Sequence, residues 1–464
     1  MRNTPLPQEP NQPAARRRAI FVGVVLACVV AAGLLGQRGV ARGLSGSLDL
    51  TMIYAGARQL AHGENPYDFD GAYDTFAEAG GTGRARDPYW FALLYPPFTY
   101  AVMSPLGLLD WPAARVAWMA VNMIAVGAIG GWLYRHRRHG AQTPAHPWIV
   151  AGGIAALLMS AAVVHTALAL GQLSLVTFAF MLAVLGPDRR DERWTWRDKH
   201  VILAGLLLSL AGAVKPQLLA PVAIFLLATP RWRAVVWGMG FGLVIAGVSV
   251  AWVQQVDAQW LTDWRAQLSA FVQTGQADPL ATNFFTFQMI HLEPWLHRLW
   301  PGGSGPAQTL RLVSVLLPVA LMVAAMIRVR ARLRERSDAT LTENATTDNR
   351  WRDEPLLLGL ALVCVLTLLM AYHRTYDAIL LVVPALWVWR QWAGAQRGGG
   401  VKLAAVCLAL FMLPGPAILG SLVIHGHLPT NLGDLWLWRA LILPHHNVAL
   451  VVLAGVLSAR LFRR

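Results

Sequence analysis

The sequence predicts an all-α polytopic membrane protein, a bundle of about twelve transmembrane helices, and three observations carry that prediction. The 464 residues are 56% hydrophobic and 14% charged, against roughly 45–50% and 25% in soluble domains. Apolar stretches recur from Ala19 to Leu461, and many are long enough to cross a hydrocarbon core of roughly 30 Å at about 1.5 Å per residue. Basic residues fall in short runs between these stretches: Arg16 to Arg18, Arg135 to Arg138, Arg189 to Lys199, Arg231 with Arg233, Arg328 to Arg336, Arg390 to Lys402, and Arg460 to Arg464. Within lipid the backbone must satisfy its own hydrogen bonds, so such runs cross as helices. A net charge of +14 distributed between spans is a topology signal, and no nucleic-acid partner is expected, because that requires basic residues clustered on one face. Cys28, Cys364 and Cys407 lie within apolar stretches at unrelated spacings, which gives neither a disulfide nor a metal pattern.

Lys and Arg accumulate in cytoplasmic loops. Placing all seven clusters on that side requires an even number of crossings between neighbouring clusters, and parity then assigns the elements in order. Residues 1–18 are a cytoplasmic tail. The run 19–36 after Arg16 to Arg18 has the outline of a signal peptide, but it is long and QRGVARG behind it lacks a small-residue cleavage site, so it is expected to stay as the first crossing. Before the next cluster hydropathy offers both 91–109 and 113–134. Pro96, Pro97 and Pro105 interrupt helical hydrogen bonding in the former, which is expected to be an outer-face or re-entrant helix inside one long outer loop, 37–112. Segments 148–166 and 171–186 form a hairpin. The stretch 201–229 begins and ends beside basic clusters, which puts Lys215 and Pro216 at the outer tip of two short helices. Segments 234–252 and 310–327 flank a second outer loop, 253–309, and 328–354 is an inner linker. The pairs 355–372 with 377–392, and 402–420 with 440–459, complete the count, with 401–464 as a C-terminal transmembrane hairpin. Both termini then lie in the cytoplasm, and a multi-pass plasma (inner) membrane location is expected.

The first outer loop carries the most distinctive chemistry. From Leu48 it reads LDLTMIYAGARQLAHGENPYDFDGAY, and Leu50, Ile53, Tyr54, Ala57, Leu60 and Ala61 recur at helical spacing, so a helix against the membrane surface is expected. Asp49 at its start is either an N-cap or a reactive carboxylate held outside the hydrocarbon. Asp68-Phe69-Asp70 matches a metal-binding DxD by pattern only, and no metal is assigned there.

The Asp early in this loop, YAGARQLAHGENPYD at Tyr54 to Asp68, and LLYPPF at Leu93 to Phe98 resemble glycosyltransferase family 87, the polyprenyl-phosphate-mannose-dependent α-mannosyltransferases of the GT-C superfamily. The resemblance continues through GQLSLVTFAFMLAVL at Gly171, AGLLLSLAGAVKPQLLAPVAIFLL at Ala204 and YHRTYDAILLVVPALW at Tyr372, and so spans roughly 45–390. It implies a GT-C-type bundle with juxtamembrane helices in the first outer loop, and makes 19–400 the transmembrane catalytic region. It implies that Asp49 is the catalytic base and that Lys215 stands near the donor phosphate. Relatives often carry a Ser-Trp-His-type run where this chain has His373-Arg374-Thr375-Tyr376-Asp377, so this motif departs from the pattern.

Sugar transfer from a lipid phosphate needs a base for the acceptor hydroxyl and fixed positive charge for the leaving phosphate. Asp49 and His373 are the catalytic candidates. Lys215 and Arg374 supply charge, and Tyr376 and Asp377 share a face with His373 if that stretch is helical. Tyr54, Asn65, Tyr95, Asn283 and Gln288 are further candidates for substrate binding, with Trp260, Trp264 or Trp295 able to stack on a sugar. The expected partners are a polyprenyl-phosphate sugar donor, a glycolipid or glycan acceptor and the lipid bilayer. No cofactor is expected, the lipid-linked sugar being itself the donor, and the mechanism requires no nucleotide sugar. Two alternatives share this architecture: a transporter or flippase of lipid-linked sugars, and another lipid-phosphate enzyme such as an oligosaccharide ligase or aminoarabinose transferase.

Overall fold

The computed structural model describes residues 14–82, 86–87, 91–136, 146–182, 184–185, 198–280, 286, 288–300, 307–342, 354–370, 372–393, 398–412, 415–429, 431–432 and 435–463. Residues 1–13 of the N-terminal tail, several residues of the basic clusters and 343–353 of the inner linker lie outside them. Among the described residues all regular structure is helical, and strand pairing is limited to one isolated antiparallel bridge between Met289 and Arg374.

The chain begins with α1 (Ala14–Leu35), a π-helical turn over Gly36–Ala41 and α2 (Arg42–Ser45). Helices α3 (Leu48–Ala61), α4 (Phe69–Glu78) and α5 (Pro97–Gly107) occupy the predicted first outer loop. Ten of the 14 residues of α3 are buried, so it is enclosed more deeply than a helix resting on a membrane surface. Gly56 allows this, because a Cβ there would stand 2.5 Å from the Tyr100 ring of α5. The long α6 (Trp111–His136) is followed by α7 (Pro147–Ser160) and α8 (Ala162–Leu170), which meet at a 55° bend, and by α9 (Ser174–Leu182).

Helices α10 (Lys199–Val214) and α11 (Pro216–Leu227) are separated only by Lys215. Gly205 of α10 faces Trp237 and Gly238 of α12 (Trp232–Val256), and Ser209 faces Gly242. Numbers rise together along this contact, so α10 and α12 run the same way and α11, which joins them, runs back. Lys215 is therefore the tip of a hairpin, as the charge pattern requires. Next come α13 (Trp260–Gln273), α14 (Leu292–Leu299) and the 36-residue α15 (Ala307–Thr342).

Fourteen of the 17 residues of α16 (Glu354–Met370) are buried, and this all-round apolar helix occupies the centre of the bundle. It leads into a 3-10 turn, Thr375–Leu381, then α17 (Val382–Ala393), α18 (Gly399–Leu410), α19 (Gly415–Ile424) and α20 (His445–Phe462).

Among the described residues five helical stretches are long and apolar enough to cross a membrane, or six if the bent α7–α8 pair is one span. The difference from about twelve lies in helices such as α10, α11, α16 and α18, of 10–17 residues. At about 1.5 Å per residue, α11 reaches only about 18 Å, so length alone does not mark it as a crossing. At one end Arg231 donates to Val184 O (2.5 Å), Trp132 Nε1 to Leu185 O (3.2 Å) and Arg390 Nη2 to His136 O (3.1 Å). Lys215 caps the end of α10 away from Lys199, and Gln172 and Asp377 meet it there.

Candidate active site

Four stretches distant in sequence converge at the end of the bundle opposite the basic clusters. Asp49 lies in the first turn of α3, after Ser47, whose backbone is left-handed at φ 49 and whose side chain makes no capping bond. The Asp49 carboxylate accepts a hydrogen bond from Gln172 Nε2. Gln172 sits in the turn between α8 and α9, where Gly171 takes φ +68, a conformation that glycine adopts without penalty. Two bonds stiffen this turn: Gln172 N donates to Ala167 O (2.8 Å) and Trp118 Nε1 to Gly171 O (2.9 Å).

Lys215 connects the four stretches. Its ammonium donates to Asp377 Oδ1 (2.5 Å), Ser174 Oγ (2.9 Å) and Gln172 Oε1 (3.2 Å), and lies 4.6 Å from the centre of the Tyr376 ring. An ammonium has three N–H donors, so all three are engaged within the protein. Lys215 thus holds the site together rather than presenting an open donor to a ligand. Asp377 also accepts from Ser174 Oγ (2.6 Å) and pairs with His373 Nδ1 (3.0 Å). Lys215 and Asp377 are 4% and 2% exposed and His373 is fully buried. The other imidazole nitrogen, His373 Nε2, is enclosed without a hydrogen-bond partner.

Around this core, Arg374 donates from Nε to Tyr372 Oη (2.6 Å). Burial works against the Arg374 charge, but the facing Tyr376, Tyr372 and Asp49 outweigh it and raise its pKa above the ordinary arginine range. Burial, reinforced by Asp49 and Asp377, raises Tyr95 above the usual tyrosine value and keeps its phenol protonated. The 372–374 stretch is secured by Ile290 N donating to His373 O (2.9 Å). His291, next in the chain, packs its ring 5.9 Å from Tyr372, and burial, with a smaller contribution from neighbouring His373, pushes its pKa down to about 3.

The structure thus brings together Asp49, Tyr95, Lys215, His373, Arg374, Tyr376 and Asp377. Gln288 is half-buried beside Met289, which bridges to Arg374, at the margin of the cluster. Tyr54 and Asn65 serve packing elsewhere. Tyr54 Oη donates to Leu109 O (2.6 Å), while Asn65 Nδ2 donates to Asp257 and Asp263, both at 2.7 Å, and ties the two outer loops together. Trp260, Trp264 and Trp295 spend their indole N–H groups on Gln254, Leu94 O and Ala440 O. Asp70 of the DxD pattern pairs with Arg86 at 2.8 Å. Asn283 lies outside the described residues. Gln172, Ser174 and Tyr372 were not candidates, although the first two stand in GQLS, a polar interruption of an apolar hairpin.

Beside the cluster an apolar groove of about 740 Å³ runs between α7, α8, α17 and α18. Ala378 and Ile379, directly after Asp377, line one part of it, and Leu158, Val164, Val382 and Leu408 line others.

Helices and cluster together define an integral membrane protein with a charged, enclosed site next to an apolar groove. The model of glycosyltransferase family 87 matches residues 93–347, more than half of the chain, and the chain belongs to that family. It is a membrane glycosyltransferase. The matched segment contains Tyr95, Gln172, Ser174 and Lys215, while Asp49 and 372–377 lie on either side of it. No curated protein and no solved structure matches the chain.

Proposed function

We propose that the chain transfers a hexose, mannose by the habit of its family, from a polyprenyl-phosphate donor to a hydroxyl of a glycolipid or glycan acceptor on the outer face of the membrane. What supports this reading is the polar cluster built on Asp377 together with an apolar groove whose lining includes the next two residues, Ala378 and Ile379. A donor made of a charged sugar phosphate and a long hydrocarbon chain needs both surfaces side by side, and a nucleotide sugar has no use for the second.

In the reaction the acceptor oxygen bonds to the anomeric carbon as the bond from that carbon to the phosphate oxygen breaks. The hydroxyl proton passes to the Asp49 carboxylate, and the electron pair leaves with the lipid phosphate. Attack opposite the leaving group inverts the anomeric centre. Arg374 supplies positive charge in a site whose burial lowers the effective dielectric and strengthens its pull on the phosphate. His373, fully buried and paired through Nδ1 with Asp377, supports the site through that pair rather than by contact with the donor. The outer-face assignment rests on the basic clusters at the other end of the bundle, and some twelve crossings with both termini inside complete the topology.

The test is transfer from radiolabelled polyprenyl-phosphate mannose by purified protein in lipid, with a membrane extract as acceptor, for wild type and Asp49→Asn. Wild type transfers label, and the variant, melting at the same temperature, loses roughly 10²–10⁴-fold, the usual contribution of a general base. Equal activity overturns the base assignment. A wild type inert with this donor but active with another lipid-linked sugar overturns mannose.

A further inference from the structure

Gln172 is 2% exposed and touches both charged parts of the site: its amide nitrogen reaches Asp49 Oδ2 and its amide oxygen faces Lys215 Nζ at 3.2 Å. The orientation of that amide follows from chemistry. An ammonium has only donors, so the oxygen must face Lys215, which turns the NH₂ group toward the carboxylate. Lys215 in turn cannot swing away, because Asp377 and Ser174 hold it at 2.5 and 2.9 Å. The backbone beneath Gln172 is equally constrained, by its bond to Ala167 O at 2.8 Å and by the Trp118 indole on Gly171 O at 2.9 Å.

We propose that Gln172 is a positioning residue, which fixes the Asp49 carboxylate in the attitude required to take the acceptor proton and passes the rigidity of the Lys215–Asp377 pair on to it. This rests on the reading of Asp49 as the base. The choice of a neutral amide is part of the device. A cation in the same place would hold Asp49 just as firmly but would hold on to its negative charge and weaken it as a base, whereas a second carboxylate would repel it. The amide donates one hydrogen bond and brings no net charge. Held in this way the carboxylate need not reorganise when the proton arrives, which is where a preorganised site gains its rate.

The experiment measures kcat, KM for polyprenyl-phosphate mannose and the pH profile of transfer for wild type, Asp49→Asn, Gln172→Ala and Gln172→Glu. Gln172→Glu is nearly isosteric and keeps a partner for Lys215, so it tests function where Gln172→Ala tests packing as well. Gln172→Ala lowers kcat by about 10²-fold, as a displacement of the base on the order of 1 Å would, with KM for the donor within about twofold of wild type. Gln172→Glu moves the acid limb of the profile upward by about one pH unit, because a like charge at hydrogen-bond distance disfavours the ionised form of Asp49. The limb reports that the side chain at 172 faces the ionising carboxylate, and a fall in kcat at unchanged KM and unchanged melting temperature separates positioning from a merely structural role. An inactive Asp49→Asn together with Gln172 variants of wild-type kcat and unmoved acid limb overturns the positioning role alone. A fully active Asp49→Asn overturns the base assignment and the role of Gln172 with it.

Discussion

Removing the Lys215 ammonium strands a carboxylate that is 2% exposed. In Lys215→Met, Asp377 keeps its bonds to Ser174 (2.6 Å) and His373 (3.0 Å) but loses the ammonium at 2.5 Å. Breaking a buried pair by removing one partner costs about 3–5 kcal/mol, and the abandoned Gln172 oxygen adds about 1 kcal/mol. Asp377→Asn is damaging for the reciprocal reason, leaving Lys215 charged and 4% exposed with only neutral acceptors. The double variant Lys215→Met/Asp377→Asn has no buried charge left to compensate, so its loss is smaller than the sum of the single losses by about 2–3 kcal/mol. Extending the size scaling of melting to 464 residues, about 1–2 °C per kcal/mol, each single variant melts several degrees lower and the double variant recovers part of the difference. Tryptophan fluorescence of the purified protein in lipid nanodiscs reads the transition. Single losses that simply add in the double variant would refute the pairing as the source of the stability.

Gly171→Ala forces an L-residue into φ +68, at about 1–2 kcal/mol, and sets its Cβ 2.8 Å from Leu50 Cβ. Both neighbours of that contact carry the site, Asp49 before Leu50 and Gln172 after Gly171, so transfer falls by more than the melting shift explains, and equal losses of both would contradict this coupling. His291 links stability to pH. Its folded-state pKa of about 3 lies below the ordinary 6.5, so its neutral ring contributes stability that is complete above about pH 6.5 and is lost as pH falls toward 3. The shift corresponds to at most roughly 5 kcal/mol. Wild type should therefore lose more melting temperature between pH 7 and pH 4 than His291→Gln, and parallel losses would contradict it.

How much of this was legible beforehand depended on which physical rule each residue obeyed. Charge parity uses only the sign and order of the loops, and it put the 37–112 loop, the Lys215 tip and 373–377 on one side, where the structure assembles Asp49, Lys215 and Asp377. Span counting depends on helix length, and the 12 residues of α11 do not show from their own composition whether they cross. Gln172 and Ser174 were overlooked because a turn polar residue inside a hairpin reads as ordinary turn chemistry, and only the arrival of Lys215 from 43 and 41 residues away makes them part of a site. Tyr54 and Asn65 show the opposite case. Polar groups within an apolar loop invite a ligand, yet each is spent on backbone or side-chain acceptors that dock one loop on another.

The Lys215–Asp377 pair also sets a timetable for making the protein. The two residues are 162 positions apart, and at roughly 5–20 residues per second of synthesis the hairpin tip waits about 8–30 s for its counter-ion. During that interval the ammonium sits among apolar helices without the carboxylate it pairs with in the finished bundle, a state that membrane-embedded ionisable groups tolerate poorly. A later part of the bundle therefore completes an earlier one, and a nascent chain stopped short of residue 377 would carry the Lys215 ammonium without its carboxylate partner.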